Sequence, residues 1–121
     1  MKKIKILIVD DRSSILDSIS QYLEFHGFKT IKALGGEEAI KSVNKESPDL
    51  MIVDIRMSGM SGLELCKKLP KQKILFMTAF DEHDIDVEGY KNSIGLIKKP
   101  IDFTKLITLL RKRFKISDPK E

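Results

Sequence analysis

The sequence predicts an α/β fold in which helices cover both faces of a five-stranded parallel sheet. Two observations support this prediction. Continuous apolar runs of strand length, which are typical of strands covered on both faces, recur along the chain. Segments with apolar residues at helical spacing separate these runs, so strand and helix alternate about five times, as they do in three-layer α/β folds.

Five segments are predicted to be strands. Four of them are apolar runs rich in branched residues, and the fifth alternates apolar and polar residues, as an edge strand does. In chain order the predicted strands are residues 6–9, 29–33 (the alternating segment), 50–53, 74–77 and 94–97.

Four segments carry apolar residues at helical spacing and are predicted to be helices. They are residues 13–25, 37–45, 62–69 and 103–114. Ser13 and Ser14 can cap the first helix, and Gly27 is expected to stop it. The pair Ser47-Pro48 is expected to end the second helix, since proline cannot continue it.

The segment from Phe80 to Ser93 fits this alternation least well. It is acidic and contains Gly89, and a glycine costs about 1 kcal/mol in a helix interior. We expect a short or irregular fourth helix there, ahead of the last strand.

Length and composition indicate one globular domain. With 121 residues, of which 41% are hydrophobic and 33% charged, the chain can form one hydrophobic core but is too short for two. We expect that core over about residues 4–115, with 116–121 as a tail or the start of a linker. No apolar stretch reaches the roughly 18 residues of a membrane span and no secretory signal pattern is present, so we expect a cytoplasmic protein without membrane contact.

Cysteine and histidine are too sparse for several kinds of site. Cys66 is the single cysteine, which excludes an internal disulfide, and we expect it to be a half-buried helix residue rather than a reactive thiol. His26 and His83 are far apart in the sequence, which disfavours a histidine metal centre. His83 is expected to be a solvated loop residue.

The net charge of +4 is unevenly distributed. Residues 74–90 contain five acidic residues and no lysine or arginine, whereas residues 91–121 contain nine basic residues and three acidic ones. We interpret the basic cluster at 111–115 as a solvated helix C-terminus, where cations interact favourably with the helix dipole. Because no DNA-reading element or aromatic platform accompanies it, we expect no direct binding to nucleic acid.

Polar side chains follow the apolar runs. Asp10 and Asp11 follow the first run, and Asp54 follows the third strand. Thr78 follows the fourth strand, and Lys99 comes shortly after the last run. Because the carboxyl ends of parallel strands lie along one edge of a sheet, we expect these five residues to be neighbours.

Such a group of residues suits phosphate chemistry. Three carboxylates in one place repel one another, which raises carboxyl pKa values unless a cation joins them. Hard oxygen donors without a softer ligand favour Mg²⁺. A carboxylate can also accept a phosphoryl group, with a metal, an ammonium and a hydroxyl balancing the charge. These residues therefore offer candidates for every role in phosphoryl transfer to a carboxylate.

Several short motifs surround these residues. They are Ile8-Val9-Asp10-Asp11, Pro48-Asp49-Leu50 leading to Asp54, Met57 and Gly62 after Asp54, Thr78-Ala79, and Lys99-Pro100. Together they resemble the motifs of response-regulator receiver domains of two-component signalling, over about residues 4–115. The resemblance implies a doubly wound, flavodoxin-like sheet with strand order 2-1-3-4-5.

The resemblance also implies a role for each acidic residue at this edge. Asp54 would be the phosphoacceptor. Asp10, Asp11 and Asp54 would bind one Mg²⁺ ion, together with the backbone carbonyl of Arg56.

Signalling and partners follow from the same resemblance. Lys99, in a cis peptide with Pro100, would contact the phosphoryl group, and the Thr78 hydroxyl would move toward that group. The donor would be a histidine kinase or a histidine phosphotransfer protein that docks near Ile15 and the loop after Pro100, with core packing as the alternative role of Ile15. The chain would not be an enzyme but a signalling receiver that promotes phosphorylation and dephosphorylation of its own aspartate, and its downstream effector stays open.

Two positions depart from the receiver motifs, and two others bear on the lifetime of the phosphorylated state. Ser58 stands where many receivers have a proline, which predicts a looser loop. Leu96 stands at a position that is commonly tyrosine or phenylalanine, which argues against switching by rotation of an aromatic ring. Arg56 and Phe80 lie where side chains influence access of water to the phosphoryl group, and their bulk predicts a long-lived phosphorylated state.

The same acidic residues have other interpretations. Asp10 and Asp11 alone could cap a helix, and Asp54 alone could be a turn residue at a strand end. A magnesium-dependent phosphatase that uses an aspartyl phosphate would need an Asp-x-Asp pair, whereas this chain has Asp10-Asp11-Arg12. A flavin-binding module would need a neutral, hydroxyl-rich phosphate loop, and two acids there would repel phosphate. The joint placement of the polar residues favours the receiver.

Overall fold

The five predicted strands form one parallel sheet in the computed structural model, which describes residues 3–79 and 87–116. In chain order, the elements within these ranges are β1 (Lys5–Asp10), α1 (Ser13–Phe25), β2 (Lys29–Leu34), α2 (Gly36–Glu46), β3 (Leu50–Asp54), α3 (Gly62–Lys68), β4 (Ile74–Ala79), β5 (Ser93–Lys99) and α4 (Phe103–Phe114). The strand order is β2-β1-β3-β4-β5, and every neighbouring pair is parallel. The predicted fold class and the strand order implied by the resemblance are therefore confirmed.

The sheet separates two apolar clusters. Successive strand residues point to opposite faces, so Ile6 and Ile8 of β1 pack with α1 and α4, whereas Leu7 and Val9 pack with α2 and α3. Every residue of β3 is buried, as expected for a central strand covered on both sides. The sequence contains continuous apolar runs because both faces of these strands are covered.

The start of α1 differs from the prediction. Arg12 is the N-cap residue, no side chain caps the helix, and Ser13 and Ser14 lie inside the first turn. A serine caps a helix only from the position before the first helical residue, so the predicted serine cap was wrong by one residue. The Asp10 carboxylate instead accepts a hydrogen bond from the Arg12 amide at 3.0 Å. The predicted stop at Gly27 is confirmed by its φ of 92°.

The segment before β5, for which a short or irregular helix is predicted, is only partly described, so that helix stays a prediction. Residues 87–92 form turns, and residues 80–86, which include Phe80 and His83, lie outside the described residues. The predictions for those two side chains therefore stay predictions. Among residues 87–92, Val87 and Asn92 are buried, so this segment is part of the packed core.

Asn92 joins this segment to the end of α3. Its side-chain amide donates hydrogen bonds to the carbonyls of Cys66 and Leu69, at 3.2 and 3.0 Å. The Cys66 thiol donates to the Asn92 side-chain oxygen at 3.1 Å. Cys66 is completely buried, so the expectation of a half-buried residue was wrong. Burial raises the pKa of the Cys66 thiol, which keeps it protonated and unreactive.

None of the helices within residues 3–79 and 87–116 has the length and apolar character needed to cross a bilayer.

Candidate functional site

The three aspartates converge at the carboxyl edge of the sheet. Asp10 ends β1 and Asp54 ends β3, and these strands are direct neighbours. Asp10 and Asp54 are buried, whereas Asp11, the first residue after β1, is exposed. One carboxylate oxygen from each of the three residues lies within 4.8 Å of the others. The predicted proximity of these three residues is confirmed.

Lys99 supplies the positive charge at this site. It ends β5, yet its ammonium Nζ lies 2.7 Å from Asp10 Oδ2 and 3.1 Å from Asp54 Oδ2. The long side chain reaches past β4 to the two central strands and bridges two carboxylates that would otherwise repel each other. The peptide between Lys99 and Pro100 is cis, as the resemblance implies.

Thr78 lies on β4, beside this group. Met77 is opposite Asp54 in the register of β3 and β4, so Thr78 is one residue further along the strand. Thr78 is 2% exposed, and its hydroxyl donates to the Ala79 carbonyl at 3.3 Å. A buried hydroxyl therefore lies next to the site, with its own hydrogen bond directed to the backbone.

The site shifts the pKa of Asp54 upward. Burial is the largest cause, because it disfavours the charged carboxylate, and the negative charge of Asp10 adds to the effect. Lys99 and the Arg56 amide act in the opposite direction by stabilising the carboxylate. Asp54 is thus a carboxylate held out of water and balanced mainly by one ammonium.

Asp11 is held in a different way. Its Oδ2 accepts hydrogen bonds from the Ser58 amide at 3.0 Å and from the Ser58 hydroxyl at 3.3 Å. The Ser58 amide is the main cause of a lowered pKa at Asp11, with burial acting in the opposite direction. The sequence prediction missed this contact and read Ser58 only as a missing proline.

Gly62 brings the start of α3 against the Asp54 backbone. Its amide donates to the Ile55 carbonyl at 2.8 Å, and a Cβ at Gly62 would overlap the carbonyl oxygen of Asp54 and lie 2.9 Å from the Ile55 Cα. Only glycine allows this approach. The Ser61 hydroxyl accepts from the Glu64 amide at 3.1 Å and caps the helix. The sequence motif placed Gly62 after Asp54 but did not reveal the close backbone contact.

Two other residues singled out in the sequence lie next to or on strands that carry this group. Arg56 is exposed in the loop after β3, with its amide directed to the Asp54 carboxylate. Leu96 is partly buried on β5 and packs against the cluster that α2 and α3 cover. An aliphatic side chain packed in this way offers no ring that could rotate between two environments.

The donor atoms fit a hard divalent cation. All three converging side chains offer carboxylate oxygens, and the described residues place no thiolate or imidazole among them. Mg²⁺ prefers such oxygen ligands and usually keeps several of its waters, so it needs only a few protein ligands. The cluster of Asp10, Asp11 and Asp54 could therefore hold a metal ion of this kind.

Sequence comparisons identify relatives of the chain. A family model, described as the response regulator receiver domain, matches residues 6–111. Sporulation initiation phosphotransferase F of Bacillus subtilis is 31% identical over 113 residues, covering 89% of this chain and 91% of that protein. The alkaline phosphatase synthesis transcriptional regulatory protein PhoP of the same organism is 43% identical over 89 residues, covering 70% of this chain but 37% of PhoP. This chain thus spans only about a quarter to a half of several longer regulators that it matches.

Structural comparisons agree with the sequence matches. The response regulator TrrA of Thermotoga maritima, solved in complex with Mg²⁺ and BeF, is 31% identical and has a TM-score of 0.80, covering 90% of this chain and 97% of that chain. A signal receiver domain from Vibrio parahaemolyticus has a TM-score of 0.84 at 22% identity, covering 94% and 92% of the two chains. The second likeness concerns the fold alone.

Proposed function

The chain belongs to the family of response regulator receiver domains of two-component systems, and on that premise we propose that Asp54 accepts a phosphoryl group from a histidine kinase or a histidine phosphotransfer protein. The observation that carries this proposal is the buried Asp54 carboxylate paired with the Lys99 ammonium at 3.1 Å. A nucleophile of this kind is poorly solvated and already charge-balanced, which suits phosphoryl transfer.

The proposed step is a direct displacement at phosphorus. A carboxylate oxygen of Asp54 attacks the phosphorus of a donor phosphohistidine, and an oxygen–phosphorus bond forms while the nitrogen–phosphorus bond breaks. The electrons of the broken bond leave with the imidazole nitrogen of the donor, which is then protonated. Lys99 remains beside Asp54 and stabilises the negative charge of the transferred group.

We assign the metal ligands to the same group of residues. Asp10, Asp11, Asp54 and the backbone carbonyl of Arg56 would hold one Mg²⁺ ion, which would neutralise charge on the phosphoryl oxygens. The oxygen-only donor set of the three aspartates supports this assignment. Mg²⁺ is also named in the complex of the related TrrA.

Phosphorylation would change the balance of contacts at the sheet edge. Lys99 now bridges Asp10 and Asp54, and a phosphoryl group on Asp54 would offer it a second set of negative oxygens. We propose that the Thr78 hydroxyl exchanges its bond to the Ala79 carbonyl for one to the phosphoryl group. Such an exchange biases the chain toward a second conformation, and this population shift is the signal.

Receiver domains interact with histidine kinases or phosphotransfer proteins, and we propose that this one docks them near Ile15 and the loop after Pro100. Ile15, Ile101 and Phe103 are all partly buried and pack on the same cluster, which α1 and α4 cover. Each of these residues is thus packed against the core on one side and exposed on the other, as docking residues often are. Ile15 also packs against the core, which was the alternative role predicted for it, and its partial exposure is compatible with the docking role that we propose.

The proposal can be tested with a small phosphodonor. Wild-type protein incubated with acetyl phosphate and Mg²⁺ is expected to show a phosphorylated band on a phosphate-affinity gel, and the Asp54→Asn variant is expected to lack it. Asp49→Asn is the matched control, because Asp49 binds the Lys5 amide at the other end of β3. A band of equal intensity in Asp54→Asn would contradict the assignment.

A further inference from the structure

Ser58 connects two loops at the acidic cluster. It lies between β3 and α3, and both its amide and its hydroxyl donate to Asp11, which follows β1. The two residues are 47 positions apart in the sequence, so these bonds tie one loop to the other across the site. Both bonds go to Oδ2 of Asp11, and Oδ1 accepts neither of them.

A proline at this position could make neither bond. Proline has no amide hydrogen and no hydroxyl, so a chain with proline here would leave Asp11 without both donors. The serine therefore adds contacts to the acidic cluster that the residue frequent in this family cannot supply. The expected looseness of this loop is offset at one point by two hydrogen bonds.

We infer that Ser58 is a positioning residue that orients the Asp11 carboxylate for binding of a divalent cation, which rests on the Mg²⁺ site proposed above. Asp11 is exposed, and an exposed side chain loses rotational freedom when it becomes a metal ligand. The bonds from Ser58 restrict that freedom before the ion arrives, so less ordering remains to be done on binding. Because both Ser58 bonds go to Oδ2, neither of them competes with a metal ion for Oδ1.

Three variants distinguish the contribution of the Ser58 amide from that of the Ser58 hydroxyl. Ser58→Ala removes the hydroxyl and keeps the amide, Ser58→Pro removes both, and Ser58→Thr keeps both. Exposed hydrogen bonds contribute at the low end of the usual range, so we expect Mg²⁺ to bind about twofold more weakly to Ser58→Ala and about fivefold more weakly to Ser58→Pro. Ser58→Thr is expected to bind as the wild type does.

The readout is the Mg²⁺ dissociation constant, measured by isothermal titration calorimetry on metal-free protein without any phosphodonor. In an Asp11→Ala background, Ser58→Ala is expected to cause no further loss, because the residue that it positions is gone. Melting temperatures of the metal-free variants show that each one is folded. A general loosening of the loop would weaken Mg²⁺ binding equally in the Asp11→Ala background, and that result would overturn the inference.

Failure of this inference and failure of the proposed function give different results. Wild-type protein that binds no Mg²⁺ would contradict the proposed function itself. Wild-type protein that binds Mg²⁺, with Ser58→Ala and Ser58→Pro equal to it or tighter, would leave the proposed function intact and overturn the positioning role of Ser58.

Discussion

At the scale of single residues, the burial of Asp54 has an energetic consequence. Its pKa is raised, so the folded chain holds this proton more readily than the unfolded chain does. Stability is therefore lost as the pH rises from the ordinary carboxyl range through the raised value, and at neutral pH the ionised Asp54 costs folding free energy. The carboxylate whose ionisation destabilises the fold is thus the one that we propose as phosphoacceptor.

Asp54→Asn is therefore expected to raise the melting temperature of metal-free protein at pH 7 by a few degrees. The difference from wild type should shrink as the pH falls toward the ordinary carboxyl pKa, because Asp54 is then protonated in both states. Differential scanning calorimetry between pH 4 and pH 7, with a chelator present, measures both effects. A difference that grows toward low pH would contradict the raised pKa.

Residue identity at the sheet edge was largely predictable from the sequence. Asp10, Asp54 and Lys99 each follow a recognisable apolar run, and parallel topology alone brings strand ends together. Contacts such as Ser58 to Asp11 could not be predicted, because they depend on how two loops fold over the edge. The hydrogen bond between Cys66 and Asn92 could not be predicted either, because it depends on the position of a turn before β5 that the sequence does not define.

At the scale of elements, α3 makes stabilising contacts at both of its ends. Its first residue, Gly62, touches the backbone of Asp54, and its last turn is bonded to Asn92 just before β5. A short helix of seven residues has little stability of its own, so these contacts hold it in place. The helix therefore connects the site to the segment that leads into β5, the strand that carries Lys99.

Gly62→Ala is expected to destabilise the protein by about 1–3 kcal/mol, because the new Cβ meets backbone atoms of Asp54 and Ile55 that cannot move aside. Gly36→Ala is the matched control. The atoms nearest to a Cβ at Gly36 belong to the flexible Met60 side chain rather than to the backbone, so the loss should be smaller. Urea denaturation measures both, and an equal loss in the two variants would contradict the special role of Gly62.

Asn92→Ala is expected to cost about 2 kcal/mol, since it leaves the buried carbonyl of Cys66 and the partly buried carbonyl of Leu69 without their side-chain donor. Asn44→Ala serves as the control, because Asn44 is exposed on α2. Urea denaturation again provides the free energy of unfolding. A loss at Asn92 no larger than at Asn44 would show that these bonds contribute little.

Element boundaries were predicted to within two residues, and their failures have specific causes. The run 94–97 understates β5, because Lys98 and Lys99 are polar residues that still pair with β4. The cap of α1 failed because serine was present one residue too late. Local sequence defines the apolar middle of an element better than its polar ends.

At the scale of the whole molecule, the alternating pattern predicts the layers but not the order of strands. Buried runs require helices on both faces, and the two clusters on either side of the sheet follow from that requirement. The order 2-1-3-4-5 entered through the resemblance, since several doubly wound orders satisfy the same pattern. The placement of Lys99 beside Asp54 depends on this order, because β5 must lie within reach of β3.

Docking of a protein donor is a property of a whole face of the molecule. Ile15→Ala is expected to lower the rate of phosphorylation by a phosphorylated histidine phosphotransfer protein about tenfold relative to the rate with acetyl phosphate, because only the protein donor must dock. Ile40→Ala is the control, since Ile40 is partly buried on α2, against the other cluster. An unchanged ratio of the two rates in Ile15→Ala would contradict docking at this face.

Asp54 is the residue that we propose to carry the phosphoryl group. Incubation of the full chain with acetyl phosphate and Mg²⁺, followed by borohydride reduction of the acyl phosphate and peptide mass spectrometry, locates the modified residue directly. We expect one modified site, at Asp54, and no modification when Mg²⁺ is chelated. Modification at Asp10, Asp11 or a residue outside the cluster, with Asp54 intact, would contradict it.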